Sequence, residues 1–119
     1  MDSLEHIRNR LREFAAARDW DQFHSPKNLA MALIVEAAEL VEHFQWLTEA
    51  QSAVLPPEKL AEVEQELADI QIYLIRIADQ LGIDIEQAVA EKIEMNERKY
   101  PAEKVRGSAE KYNECDDGC

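Results

Sequence analysis

Residues 25–47 have the sequence SPKNLAMALIVEAAELVEHFQWL, which contains no glycine and has its one proline at the second position. Ser25 is a good N-cap, and Pro26 suits the first helical position because the N–H that proline lacks has no partner there. Leucines then recur four or seven residues apart, as on one face of a helix. The pattern predicts a helix from Pro26 to about Leu47.

Scarce helix breakers divide the rest of the chain into further helix-sized segments. Only three glycines and four prolines occur in 119 residues. No window alternates between apolar and polar residues, so the sequence predicts an all-α fold. Beyond Pro101 the chain is polar, and we expect it to be irregular. The three other predicted helices run from Ser3 to about Arg18, from Pro57 to Gly82, and from Asp84 to just before Pro101.

Composition excludes several classes of protein. With 46% apolar residues the chain can bury a core, and its length fits one domain. The formal net charge of −12 disfavours a nucleic-acid-coating protein. No apolar run approaches the ~20 residues of a membrane span, and the acidic start Met1–Glu5 is unlike a signal peptide, so we expect a cytoplasmic protein. Cys115 and Cys119 lie in a polar end and form neither a disulfide framework nor a zinc site.

Four acidic residues occupy unusual positions in two of the predicted helices. On a helical wheel, Leu33 and Leu40 lie within about 60° of Glu36, and Glu39 lies about 60° to the other side. In the third predicted helix, Ile70 lies about 40° from Glu66, and Asp69 is again three residues further on. Both acidic pairs therefore interrupt apolar faces, where an unpaired carboxylate loses several kcal/mol of hydration (~3 or more).

Cations must compensate such carboxylates. Arginine or lysine could pair with them, or divalent ions could lie among them. Acids at i and i+3 on facing helices can converge on one ion, and Mg²⁺ prefers oxygen ligands and shares its remaining sites with phosphates. Bound metal would let this acidic chain hold a polyanion. The plain alternative is a solvated acidic face, because E-x-x-E is common on helices.

Other metal and nucleotide sites fit less well. A ferritin-like di-iron site needs Glu-x-x-His pairs, and none of the three histidines has Glu three residues before it. A P-loop cannot be drawn through the three glycines. Lys92 lies on the apolar face of the fourth predicted helix and could reach a phosphate, or could extend its amine to solvent from the edge of that face. Trp20, Trp46, Tyr73 and Tyr100 could stack on a base or belong to the core.

The two acidic motifs carry a family resemblance. Glu36-Ala37-Ala38-Glu39 and Glu66-Leu67-Ala68-Asp69, separated by 26 residues, resemble the E-x-x-E…E-x-x-D signature of the MazG-like nucleoside triphosphate pyrophosphohydrolases. The dCTP pyrophosphatase branch is the most similar, over nearly all of residues 4–112. Its further matching segments are Arg18–His24, Pro26–Leu29, Phe44–Trp46, Ile72–Leu74, Lys92–Asn96, Tyr100–Pro101 and Arg106–Tyr112.

This resemblance implies a four-helix MazG-like bundle over residues 1–112, followed by a polar tail, 113–119, and assembled as a homodimer or dimer of dimers (a homotetramer). It implies Mg²⁺-dependent hydrolysis of deoxynucleoside triphosphates to the monophosphate and pyrophosphate. The residues implied to hold Mg²⁺ are Glu36, Glu39, Glu66 and Asp69, with Glu36 or Glu39 as catalytic base. Those implied to contact substrate are Trp20, His24, Trp46, Tyr73, Lys92, Asn96, Tyr100, Arg106, Lys111 and Tyr112.

One position departs from the pattern and affects the expected substrate. Animal dCTP pyrophosphatases have a histidine in the first helix where this chain has Leu11, and leucine offers cytosine no hydrogen bond. We expect dCTP or related pyrimidine deoxynucleotides, as part of nucleotide-pool house-cleaning. The alternatives are a hydrolase of another nucleotide phosphoanhydride and a non-enzymatic acidic helical module. Apolar Ile34, Val41, Ile72 and Ile75 lie away from the acidic faces and predict a surface for a second copy of the chain.

Overall fold

The computed structural model describes residues 3–108, and within that range the fold is all-α, without a strand. Residues up to Ile83 and residues from Asp84 onward form two compact units, of which the first holds four of the helices. The all-α prediction is confirmed. The elements are α1 Leu4–Ala17, a 3₁₀ turn Asp21–Phe23, α2 Pro26–Glu42, α3 Glu49–Ala53, α4 Pro57–Gln80, α5 Ile85–Lys99 and α6 Ala102–Val105.

The predicted starts of three of the four long helices are confirmed by their side-chain caps. Ser3 Oγ accepts a hydrogen bond from the backbone N–H of His6 at 3.1 Å. Ser25 Oγ, in the residue directly before Pro26, accepts a hydrogen bond from the backbone N–H of Asn28. Asp84 caps α5 through the N–H of Gln87. Each cap satisfies an N–H that has no partner inside its own helix, so these starts are fixed locally.

Two predicted boundaries are wrong. The second predicted helix ends at Glu42 rather than near Leu47, and turns occupy the next residues. A new helix, α3, then begins because Thr48 and Gln51 form a reciprocal capping box. The chain beyond Pro101 is not wholly irregular either, since α6 forms a short turn of helix there.

The longest helix, α4, matches its predicted length of 24 residues. It ends where Gly82 takes a left-handed φ of +68°, and the N–H of Ile83 bonds back to the carbonyl of Ala78 at 2.8 Å. Glycine adopts this conformation without the strain of a Cβ. Although α4 is long enough, no helix in the described range joins that length to the low charge and high hydropathy of a membrane span.

The core of the first unit forms where α2 packs along α4. Leu29 is 2% exposed, and Val63, Ile75 and Ala78 of α4 are also buried. Ala15 is the buried residue of α1, which packs on α4 as well. Since α1 and α2 both pack against α4, the acidic motif of α2 and the loop that follows α1 both lie next to side chains of α4.

Apolar residues remain on the surface away from this core. Ile34 is 67% exposed, and Val41 and Ile72 are exposed too. Ile75, predicted to belong to the same outer surface, is instead buried at 3% exposure. The difference arises because a helical wheel gives the direction of a side chain but not which segment covers it.

Candidate active site

Three of the four predicted metal ligands form one cluster. Glu36 and Glu39 of α2 and Glu66 of α4 each present a carboxylate oxygen, and the three oxygens all lie within 4.8 Å of one another. All three residues are half-buried. The cluster follows from the sequence, because residues three apart share a helix face and the two faces meet where α2 packs on α4.

Asp69 lies at the border of this cluster rather than inside it. Its side chain is exposed and lines the neighbouring cavity. Its charge nevertheless acts on Glu36 and on Tyr73. Asp69 is therefore placed between the carboxylate cluster and the cavity.

Without a bound cation, the close approach of these carboxylates is electrostatically unfavourable. Burial, contacts with the carboxyl groups of Glu66 and Glu39, and nearby charges raise the pKa of Glu36 to about 7. Glu36 Oε2 and Glu66 Oε2 are buried and have no hydrogen-bond partner among the described residues. A buried polar atom without a partner costs about 1–3 kcal/mol. Oxygen donors that converge and lack partners fit a hard divalent cation.

A cavity of about 370 Å³ lies next to the carboxylate cluster, within the first unit. This volume is in the range of small-molecule sites. Trp20, His24 and Tyr73, three predicted base contacts, all line it. Phe14 supports Trp20 edge-on, with ring centroids 5.5 Å apart, and Leu11 forms part of the apolar wall. Burial and the charges of Glu36 and Asp69 raise the pKa of Tyr73, so its hydroxyl stays protonated.

A buried arginine that the sequence pattern did not indicate lies in the wall of this cavity. Arg76 is 5% exposed, and its Nη2 donates to Asp21 Oδ1 at 3.1 Å and lies 3.3 Å from His24 Nδ1. Its Nη1 lies 3.7 Å from Asp79. The available signal was its spacing, because Arg76 follows Asp69 by seven residues and so shares its helix face.

A second cationic group, Lys59, lies near the cluster. Lys59 Nζ is 3.3 Å from His43 Nδ1 and 3.2 Å from Glu62 Oε2. His43 Nε2 in turn lies 3.8 Å from Glu66 Oε1. These groups border the cluster at one end but leave the oxygens of Glu36 without a cation.

Not every predicted site residue lines the cavity of the first unit. Trp46 is 86% exposed, because α2 ends before it, and it does not line the cavity. Lys92, Asn96, Tyr100 and Arg106 belong to the second unit, in which Lys92 and Asn96 lie one turn apart on α5 and are exposed. Lys111, Tyr112, Cys115 and Cys119 lie outside the described residues, as does the predicted boundary at residue 112.

Comparison with known proteins extends these observations. A profile of the MazG-like family matches residues 31–115, most of the chain and both acidic motifs. The chain belongs to the MazG-like family. It lies in the dCTP pyrophosphatase branch, because it is 46% identical over 114 residues to dCTP pyrophosphatase 1 of Mus musculus and 43% identical over 118 residues to that of Homo sapiens. These alignments cover 94% and 98% of this chain and 67% and 69% of the relatives.

A solved member supports the fold. A pyrophosphatase from Archaeoglobus fulgidus superimposes with a TM-score of 0.79 at 41% identity, covering 85% of this chain and 94% of that one. The predicted MazG-like resemblance is thus confirmed, and the chain is an enzyme of this family.

Proposed function

We propose that this MazG-like enzyme hydrolyses deoxynucleoside triphosphates, dCTP or related pyrimidine nucleotides above all, to the monophosphate and pyrophosphate. The observation that carries the proposal is the inward-facing cluster of Glu36, Glu39 and Glu66 beside a cavity of nucleotide-base size. The relatives named dCTP pyrophosphatase support this substrate class.

Glu36, Glu39, Glu66 and Asp69 would hold Mg²⁺, because they supply hard oxygen donors, and buried oxygens of Glu36 and Glu66 have no hydrogen-bond partner among the described residues. Bound there, the ion would neutralise phosphate oxygens and acidify a water molecule. Mg²⁺ takes six oxygen ligands and keeps several waters besides the phosphate, so not all four carboxylates need to bind it directly. A carboxylate that does not bind the ion directly would be left for proton transfer.

The carboxylate of Glu36 or Glu39 acts as general base. It takes a proton from the attacking water, the water oxygen bonds to the α-phosphorus, and the bond from that phosphorus to the bridging oxygen of pyrophosphate breaks. The ring of Trp20 and the hydroxyl of Tyr73 bind the base in the cavity. The apolar wall at Leu11 favours a pocket that tolerates several pyrimidines over one that reads cytosine strictly.

Trp46, the second unit and the residues beyond it complete the substrate contacts in this proposal. By resemblance, Lys92 and Asn96 contact the triphosphate or sugar, and Trp46 and Tyr100 lie near the base. Arg106, Lys111 and Tyr112 close over the site from the same or a neighbouring subunit.

We further propose that the chain assembles as a homodimer or dimer of dimers. Ile34, Val35 and Val41 of α2 are each more than half exposed, which is unusual for neighbouring branched apolar residues on a helix. A second copy would cover them. Nucleic acid is not a proposed partner, and a cytoplasmic location stays a prediction.

The deciding experiment incubates the protein with each deoxynucleoside triphosphate and Mg²⁺ and measures monophosphate and pyrophosphate. Glu39→Gln is nearly isosteric and removes one charge, so turnover should fall by at least about 100-fold while the helical content stays unchanged. Glu64→Gln is the matched control, because Glu64 is an exposed acid of α4 outside the cluster.

Three outcomes would contradict the proposal. Release of orthophosphate would exclude attack at the α-phosphorus. Full activity of the Glu39→Gln protein would remove the assigned carboxylate site. Turnover of a nucleotide sugar but of no triphosphate would favour the alternative phosphoanhydride hydrolase.

A further inference from the structure

The loop that forms one wall of the cavity is fixed to α4 by a buried arginine. Arg76 donates to Asp21 at 3.1 Å, and Gln80 of the same helix donates to the carbonyl of His24 at 2.9 Å. Asn28 Nδ2 holds the intervening carbonyl of Phe23 at 3.1 Å. The 3₁₀ turn and His24 are thus attached to α4 and to the start of α2.

The charge of Arg76 is already compensated within this network. Its neighbours Asp21 and Asp79 are both acidic, and Asp79 also forms a two-point hydrogen bond with Arg12. Arg76 thus faces two carboxylates, at 3.1 and 3.7 Å, which offset its charge although Arg8 also acts on Asp79. Arg76 is therefore not a free cation that could bind phosphate. Its role follows from the loop side chains that it contacts, Asp21 and His24.

The contact between Arg76 and His24 fixes a tautomer. A guanidinium group can only donate hydrogen bonds, so His24 Nδ1, 3.3 Å from Arg76 Nη2, must accept one. In a neutral imidazole the proton then lies on the other nitrogen, Nε2. Burial and the charge of Arg76 lower the pKa of His24, which keeps the ring neutral near pH 7 although Asp21 opposes the shift.

We propose that Arg76 is a positioning residue for base recognition: it holds His24 as the Nε2–H tautomer, so that His24 donates a hydrogen bond to an acceptor of the nucleobase. The acceptor is a ring nitrogen or carbonyl oxygen, since His24 lines the cavity assigned to the base. The inference rests on the proposed function for the ligand, but the tautomer itself does not depend on it. It also supplies a polar contact in a cavity where Leu11 supplies none.

The first test reads the tautomer directly, without nucleotide. The imidazole nitrogen NMR spectrum of the wild-type protein at pH 7 should show His24 with a protonated Nε2 and a bare Nδ1. Arg76→Lys keeps the charge but loses the planar fork that bonds Asp21 and His24 together, so the signals should move towards a mixture of tautomers. A wild-type spectrum with the proton on Nδ1 would overturn the proposal.

The second test uses two side chains that differ in reach. The amide nitrogen of Gln can occupy roughly the place of Nε2, whereas that of Asn reaches only to the place of Nδ1. His24→Asn should raise KM for the deoxynucleotide about tenfold with kcat changed less than about twofold, the effect of one lost hydrogen bond to the base. His24→Gln should recover most of the wild-type KM, and equal KM values for the two variants would contradict the donor role.

Gln80→Ala is the matched control for loop mobility. It removes another bond between α4 and the loop but leaves the imidazole contact intact. The control should leave the His24 tautomer unchanged and KM within about threefold of the wild-type value. If it reproduced the His24→Asn kinetics, loop anchoring alone would explain the data and the proposal would fail. Absence of any hydrolysis by wild-type protein would instead reject the proposed function, while the tautomer measurement would stand.

Discussion

At the scale of single residues, the acids of the carboxylate cluster destabilise the metal-free fold but provide oxygen ligands for a cation. Glu36 is the clearest case, because its buried Oε2 has no partner in the described range and its neighbours are also acids. Selection for folding alone would replace it with an apolar side chain of similar volume. A cation-binding role gives a physical reason to keep it.

A neutral residue at this position should therefore stabilise the metal-free protein. We expect Glu36→Gln to raise the melting temperature in EDTA by a few degrees, because it removes the repulsion among the acids. Mg²⁺ should raise the melting temperature of the wild-type protein and have little effect on the variant. Thermal unfolding with and without Mg²⁺ measures both effects.

The control for this prediction is Glu42→Gln, an exposed acid at the end of α2 outside the cluster. It should keep the response to Mg²⁺. An equal response to Mg²⁺ in the Glu36→Gln protein would show that this residue is not a ligand.

At the scale of elements, α4 is held by two different kinds of contact. Against α2 it buries apolar side chains such as Val63 and Leu29. Against α1 it uses a charged contact as well, in which Arg12 Nε donates to Asp79 Oδ2 at 2.7 Å and Nη2 donates to Oδ1. This two-point bond is the strongest geometry available to an arginine and a carboxylate.

The contact between α1 and α4 predicts a pH-dependent stability. The hydrogen bond from Arg12 lowers the pKa of Asp79 below its ordinary value of 3.8, and the charges of Arg12 and Arg76 act in the same direction. A lowered carboxyl pKa stabilises the fold fully above the unfolded value and loses that effect as pH falls through the folded value. Asp79→Asn should therefore lower the free energy of unfolding at pH 7.

Urea unfolding of both proteins between pH 7 and pH 2 checks this prediction. The difference between wild type and Asp79→Asn should be constant above about pH 5 and shrink once the pH falls below 3.8, the ordinary Asp pKa. Glu64→Gln serves as the exposed control and should show little difference at any pH. A difference that grew on acidification would contradict the assigned ion pair.

Local signals determined which element boundaries could be predicted. The starts at Ser3, Ser25 and Asp84 were predictable because a cap needs only its own first turn. The end of α2 was not, because the apolar pattern continues to Leu47 while the competing cap at Thr48 begins another helix. Periodicity reports which residues could be helical and not where a neighbouring cap interrupts them.

The candidate site was predictable to a similar extent. Acids three residues apart on two apolar faces predicted the meeting of Glu36, Glu39 and Glu66. Arg76 was missed because its partners, Asp21 and His24, are more than 50 residues away in the chain. Long-range pairings of this kind depend on how a loop packs, which single-sequence patterns do not encode.

At the scale of the whole molecule, the exposed apolar face of α2 predicts self-association. Ile34→Glu places a charge in that face, so it should dissociate an assembly that buries the face. Light scattering of the wild-type protein should give a multiple of the 13.7 kDa chain mass, and the variant should give a smaller species. A charge at Val54, which is 81% exposed outside α2, is the control and should leave the mass unchanged.

Two outcomes would reject this prediction. A monomeric wild-type protein would show that the apolar face has another purpose. An Ile34→Glu protein with unchanged mass and unchanged helical content would place the contact between copies elsewhere on the chain.

The early end of α2 also has an optical consequence. The chain has two tryptophans, and the shortened helix leaves the indole of Trp46 in water while the indole of Trp20 lies against Phe14 in the cavity wall. Trp46 should therefore contribute red-shifted fluorescence that is readily quenched by iodide. Replacing it with phenylalanine would leave Trp20 as the single tryptophan, whose emission would report occupancy of the cavity without an added dye.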